Sequence, residues 1–457
     1  MSGAEERLRV AVVGGGLAGI AAALECAEAG ADVTLYESRQ ELGGATFSIR
    51  RNGYWLDNGQ HVALRCCSAY RGLLARIGVQ DRLELQPRLR VPVLAPGGRR
   101  ALLSRAAVPA PLHLAASLLR YRHVSPRERV AVVRAVSALR ALDLADPALD
   151  AITFGEWLRA HGQSERAIDV LWDVIALPTL NLPSREASLA LAAFVFRTGL
   201  LDDSDACDLA VPRVPLRYLH SEPAEFALRG RGVDVRLRTA VRGIEPAKDG
   251  FRLVLADRAA WFSRVVAAVP HHAVASLVPS GVVDAAALGA LGSSPIVNVH
   301  LLFDRLVLET PFAAAVGSPV QWMFDRTEAA GVEHGQLISI SISSAARELH
   351  RPQGDLVRTC VAALHELLPR ARRAELLDRL VTREPRATFR SAPGSAALRP
   401  GAETTLPGLA LAGAWTDTGW PATMEGAVRS GLRAAEAVLA GSSVAPESRR
   451  IEAAVSA

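Results

Sequence analysis

Three glycines, Gly14, Gly16 and Gly19, stand directly after an apolar run from Leu8 to Val13 and directly before an alanine-rich stretch from Ile20 to Ala29. No other feature constrains the chain as tightly. A strand that passes through a glycine turn into a helix, and on to a second strand at Asp32 to Tyr36, is a βαβ unit. In such a unit the first glycine permits the turn, the second lets the backbone approach a pyrophosphate, and the third lets helix and strand pack closely. The helix N-terminus, with Leu17 and Ala18, stabilises the negative charge. Glu37, followed by Ser38, ends the second strand where a carboxylate accepts hydrogen bonds from an adenosine ribose. The expectation is an α/β chain built on a Rossmann-like dinucleotide-binding domain.

At 457 residues the chain is too long for one ordinary core. Helical periodicity is read from Cys67 to Arg140, broken at Pro109 and Pro111. Within it Pro111 to Tyr121 is amphipathic, with His113, Ser117 and Arg120 opposite Leu112, Ala115 and Leu119. A further helical region spans Thr153 to Leu201. Strands are expected at Val233 to Val241, Phe251 to Leu255, Val265 to Val269, Ile296 to Phe303 and Leu337 to Ser343, and helices at Asp355 to Leu368 and Arg370 to Leu380. The chain thus leaves the nucleotide-binding domain and returns to it. Residues 1–75, 205–280 and 395–440 are assigned to that discontinuous domain, 76–204 and 281–394 to a mixed α+β substrate-binding domain, and 441–457 to a flexible tail.

The net charge of +5 is scattered without a polybasic block, which argues against nucleic acid as a partner. Half of the residues are hydrophobic, so apolar surface is expected, and with the positive balance this makes a membrane surface a candidate partner. The longest apolar stretch, Ala187 to Phe196, is too short to span a bilayer. Five cysteines, Cys26, Cys66, Cys67, Cys207 and Cys360, form no CxxC pair and indicate neither a disulfide framework nor a zinc site. A cytoplasmic protein, peripheral on the inner face of the cell membrane and holding no metal, is the expectation.

A second glycine pair, Gly43-Gly44, follows Glu37 and lets the chain fold back over the pyrophosphate. The spacing resembles the FAD signature of the amine oxidase and phytoene desaturase superfamily, which implies FAD as cofactor. The arginine common after that pair is replaced by Ala45, leaving Arg50 and Arg51 as possible substitutes. The run Leu411 to Ala427 resembles the superfamily's closing flavin segment, with Gly413, Thr423 and Met424 among the implied contacts and Val241 assigned to the same set. Backbone amides at Thr423 to Glu425 suit the negative charge of reduced flavin. Ala414 stands where an acidic residue is usual, and Asp417 is the alternative acid.

More specific is Asp57-Asn58-Gly59-Gln60-His61. Together with Leu177 to Asn181, Ala268 to His272, Pro295 to Leu301, Arg386 to Phe389 and Thr418 to Thr423, it resembles the squalene-associated FAD-dependent desaturases, read as hydroxysqualene dehydroxylases of bacterial hopanoid synthesis. The resemblance runs from Arg9 to about Val438 and implies an oxidoreductase acting on a polyprenyl hydrocarbon. Hydroxysqualene would lose its hydroxyl and become squalene, with reduced FAD as the hydride source and an unidentified electron donor upstream. Gly59, Gln60 and His61 are then beside the flavin. His61 is either a proton donor or a structural histidine, and Asp57 either orients it or caps a turn. His271 and His272 are read as ordering their turn. Trp55, Trp172, Phe194, Phe196, Trp322, Phe324 and Trp420 are candidates for a tunnel lining or for plain core. Two rivals remain at this stage: a desaturase or amine oxidase running in the oxidative direction, and a non-catalytic prenyl-lipid carrier without flavin.

Overall fold

The computed structural model describes residues 7–440, so the tail at 441–457 lies outside the described residues. Its organising element is a parallel five-stranded sheet in the order 234–236, 32–36, 9–13, 264–267 and 409–411. Alternation along the central strand divides the surroundings. Val10 and Val12 face the helices Leu17–Glu28 and Met424–Leu439, whereas Ala11 and Val13 face a three-stranded antiparallel sheet at 243–262. The glycine turn therefore sits between two layers, at the carboxyl end of a central strand, where open α/β sheets bind their ligands.

A second sheet of seven strands runs in the order 376–388, 294–303, 336–343, 322–325, 312–315, 90–95 and 99–104. It is antiparallel except where 312–315 meets 90–95, which pair in parallel. Along Ser294–Phe303, Val297, Val299 and Leu301 bury against the helix Gln353–Leu367, with Leu356, Cys360 and Leu364. The same alternation sends Asn298 and His300 to the opposite face, and Asn298 there meets the segment after Asp57. The protein is α/β, with a Rossmann-like domain built on the parallel sheet and a discontinuous mixed α+β domain built on the second sheet.

Three expected elements differ. The stretch from Cys67 to Arg140 is only partly helical, because Arg90–Ala95 and Arg99–Ser104 form a hairpin. Its Pro96-Gly97-Gly98 corner takes the left-handed conformation at both glycines, and the adjoining Val91, Val93 and Ala95 alternate into the core. The helix expected at Arg370 to Leu380 is a short turn at Pro369–Arg373, followed by the edge strand Leu376–Thr388. Pairing along Ser294–Phe303 outweighs the local leucine-arginine periodicity there. The strand expected at Val233 to Val241 shortens to Asp234–Arg236.

Candidate active site

The glycine turn shows which of its positions the protein itself requires to be small. A Cβ on Gly14 would lie 2.3 Å from the Ala268 carbonyl oxygen, and one on Gly19 1.8 Å from that of Gly14. At Gly16 the nearest atom would be the Gly44 Cα at 3.8 Å, so no protein atom excludes a side chain there. The Gly43 amide donates to the Gly15 carbonyl at 2.8 Å, which lays the second glycine pair against the first, and a Cβ on Gly44 would come within 2.8 Å of Gly16. This narrow backbone cradle at a helix N-terminus fits a pyrophosphate.

Glu37 is buried, and its carboxylate accepts the Gly15 amide at 2.7 Å and the Arg39 amide at 2.7 Å, with the Ser38 hydroxyl at 3.1 Å. It is thereby held at the edge of the cradle. The Thr239 amide donates to the Glu37 carbonyl at 2.9 Å, bringing half-buried Val241 to the same end of the sheet. The guanidinium at the second glycine pair is supplied by Arg39, whose Nη1 donates to the Gly44 carbonyl at 2.9 Å. Arg50 lies over the Trp55 ring and Arg51 pairs with Asp378 at 3.2 Å, so neither takes that place. Ala45 has its carbonyl bonded to the Asn58 side chain at 2.9 Å.

The closing segment is held from outside its own sequence. Buried Arg399 donates to the carbonyls of Trp415 at 3.3 Å, Thr416 at 2.6 Å and Trp420 at 2.8 Å. The Trp415 indole donates to Val269 at 2.9 Å, and the Gly413 amide to Ser430 at 2.8 Å, beside half-buried Ala414. Thr423 caps the helix that begins at Met424 by accepting the Gly426 amide at 3.1 Å. First-turn amides at such an N-terminus suit an anionic ring edge. Buried Glu425 turns the other way, accepting the amides of Ala69 at 3.1 Å and Tyr70 at 2.7 Å, and so caps the helix Ser68–Arg76. Asp417 is exposed and accepts the Gly419 amide at 3.1 Å.

Asp57 to His61 is bonded to the loop that follows the second glycine pair, through Asn58 with Ala45 and Phe47. Asp57 is a buried hub, receiving the Ser48 hydroxyl at 2.7 Å, the Leu216 amide at 2.9 Å and the Arg326 guanidinium at 3.2 Å. It shares no hydrogen bond with His61. The Asn58 carbonyl accepts from both Asn298 and Thr382, each at 2.9 Å, which clamps the segment to the seven-stranded sheet. Two polar atoms here, Gln60 Nε2 and Asn298 Oδ1, are buried without a protein partner. Nδ1 of His61 pairs with the Gly59 carbonyl at 3.1 Å, and its Nε2 has no partner among the described residues. Burial pushes the His61 pKa below the ordinary histidine value, outweighing the opposing pull of Gly59 and Asp57.

A flavin-containing amine oxidoreductase family model matches residues 17–439. The chain belongs to this family. The flavoenzyme is 30% identical to a hydroxysqualene dehydroxylase from Sinorhizobium fredii over 94% of its own length and 98% of the relative's. A hydroxysqualene dehydroxylase from Rhodopseudomonas palustris is likewise 30% identical, with 94% and 98% covered. Among solved structures, an oxidoreductase from Methanosarcina mazei superposes with a TM-score of 0.74 at 17% identity, covering 93% of this chain and 99% of that one. The protein is an FAD-dependent oxidoreductase, and its cradle would hold FAD through Gly14 to Gly19, Glu37, Gly43 and Gly44, with the Met424 helix N-terminus at the ring end.

The remaining sequence candidates separate by position. Trp172, Phe196 and Phe324 are core residues, with the Trp172 and Phe196 rings 5.2 Å apart. Trp322 stacks on Phe324, and its indole donates to the Val174 carbonyl at 3.3 Å. Trp55 packs on Tyr218. Phe194 meets Trp420 edge to face at 5.1 Å, joining the helix Leu189–Phe196 to the closing segment. His271 is buried and His272 exposed at the start of a short helix after Pro270. Arg39, Arg326, Arg399, Asn298 and Glu425 were not singled out as individual site residues from sequence. Arg39, two positions after Glu37, Glu425, inside the closing run, and Asn298, inside the Pro295 to Leu301 run, carried a positional signal, whereas Arg326 and Arg399 carried none.

Proposed function

We propose that this flavoenzyme removes the hydroxyl of hydroxysqualene by reduction, giving squalene, as the names of its end-to-end relatives suggest for them. The observation that carries the chemistry is a histidine with one nitrogen anchored and one free, on a segment clamped between the glycine cradle and the second sheet. An allylic alcohol cannot expel hydroxide readily, so carbon-oxygen cleavage needs a proton at the leaving oxygen. Nε2 of protonated His61 supplies it, while Nδ1 keeps its bond to Gly59 and fixes the ring. Reduced FAD, when bound, supplies the hydride. Asp57 and Arg326 act on His61 through the backbone, by holding the segment from behind. Trp420 and Phe194, in edge-to-face contact at the closing segment, are an apolar aromatic pair that suits a polyprenyl chain and the cation formed.

The test is anaerobic incubation of the reduced holoenzyme with hydroxysqualene, followed by product identification. Squalene should appear in step with flavin reoxidation. Intact hydroxysqualene, or a more unsaturated product formed only by the oxidised enzyme, overturns the reading in favour of the oxidative direction.

A further inference from the structure

The helical stretch 112–120 is folded inside out. Two of its three polar members are buried: His113 is 0% exposed, and Ser117 accepts the Ser104 amide at 3.0 Å and donates to the Leu102 carbonyl at 2.9 Å. Its apolar stripe, Leu112, Ala115, Ala116 and Leu119, faces outward at the i, i+3, i+4, i+7 spacing that ordinarily marks a core face. Leu112 is 66% and Leu119 68% exposed. The adjoining helix, Pro126–Arg140, buries Val132, Ala135 and Leu139 and turns Val130 and Val133 outward. Exposed Val108 continues the surface beside a cleft of about 490 Å³ lined by Ala107 to Ala110 and Asp202 to Ser204.

The two helical elements and the turn between them carry an excess of unpaired positive charge, while Asp202 and Asp203 line the neighbouring cleft. Arg120, Arg127 and Arg134 on the two elements and Arg122 in the turn between them are exposed and join no ion pair among the described residues. Glu128, the acid on the second helix, is instead bonded to Ser125 and Ser164. Arg127, Val130 and Arg134 share one stripe of that helix. No helix among the described residues is long and apolar enough to cross a membrane.

We propose that this face, made by residues 108–134 of both helical elements, is a docking surface for an anionic lipid leaflet. Leucines and valines enter the acyl boundary while the four arginines meet phosphate headgroups. The inference rests on the polyprenyl reading of the active site, since a water-insoluble substrate must be collected from lipid.

Holoenzyme is sedimented with vesicles of pure phosphatidylcholine and with vesicles containing phosphatidylglycerol, at low and high salt. Wild type should bind the anionic vesicles and release from them as salt rises. Leu112→Asp with Leu119→Asp, and separately Arg127→Glu with Arg134→Glu, should each lower that binding about tenfold or more at unchanged flavin content and melting temperature. Turnover of hydroxysqualene in detergent should be unchanged, which separates failure of docking from failure of the catalytic reading. Equal binding by wild type and both variants, or indifference to phosphatidylglycerol, overturns the proposal. So does a dimer in solution that the leucine substitutions dissociate, because the face would then belong to a second copy.

Discussion

Gly16 and Gly19 belong to one turn yet are glycine for different reasons. The Gly14 carbonyl occupies the space of a Gly19 Cβ, whereas nothing in the protein occupies that of Gly16. Gly19→Ala should therefore destabilise the fold by about 3 kcal/mol or more, as overpacking of a tight contact does. Gly16→Ala should leave the melting temperature of the apoprotein unchanged and weaken FAD binding at least about tenfold, or roughly 1.4 kcal/mol. Flavin absorbance per chain and thermal denaturation read the two effects separately. His61 is argued at the same scale. His61→Ala and His61→Gln should both retain FAD and slow single-turnover reaction with hydroxysqualene by about 10² to 10⁴. Glutamine can keep the bond to Gly59 but carries no transferable proton, so near wild-type rates in the glutamine variant would make His61 structural. Because burial lowers its pKa, the protonated donor gains population only as pH falls below the ordinary histidine value of 6.5. The wild-type rate should accordingly rise with acidity through that window, and the dependence should vanish in the glutamine variant.

At the scale of elements, the ion pair of Asp57 with Arg326 ties the strand Tyr54–Asp57 to the start of the short helix Thr327–Ala330. Both side chains are nearly sealed from solvent, at 6% and 7% exposure. Arg326→Met leaves a buried carboxylate without its counter-charge and should cost about 3–5 kcal/mol in urea denaturation. Adding Asp57→Asn should recover part of that loss, because the uncompensated charge is what costs. These elements also mark where the sequence could be read. The βαβ unit, the second glycine pair and the closing run were legible because each is a local demand on backbone space and charge. Leu376–Thr388 was not, since its leucines and arginines recur as they would on a helix and only pairing with Ser294–Phe303 makes it a strand. Arg326 was equally hidden, because its role depends on a carboxylate 269 residues away. The apolar stripe at 112–120 was visible as a periodicity, but sequence could not say that it points outward.

At the scale of the whole molecule, the proposed reaction draws on three distant parts of the chain. The glycine turn and Gly43-Gly44 form the cradle, Arg399 and the Met424 helix shape the ring end, and Asn298 and Thr382 of the second sheet clamp the segment that carries His61. In the proposed reaction His61 gives the proton to the leaving oxygen and reduced FAD, when bound, gives the hydride, and that pairing is the account's central claim. It is tested most directly by running a single anaerobic turnover of pre-reduced enzyme with hydroxysqualene in deuterium oxide and analysing the squalene by mass spectrometry. The account predicts one deuterium per squalene, at the carbon that lost its hydroxyl, delivered from the reduced cofactor equilibrated with solvent. Squalene without deuterium, or no squalene while the flavin remains reduced, would contradict it.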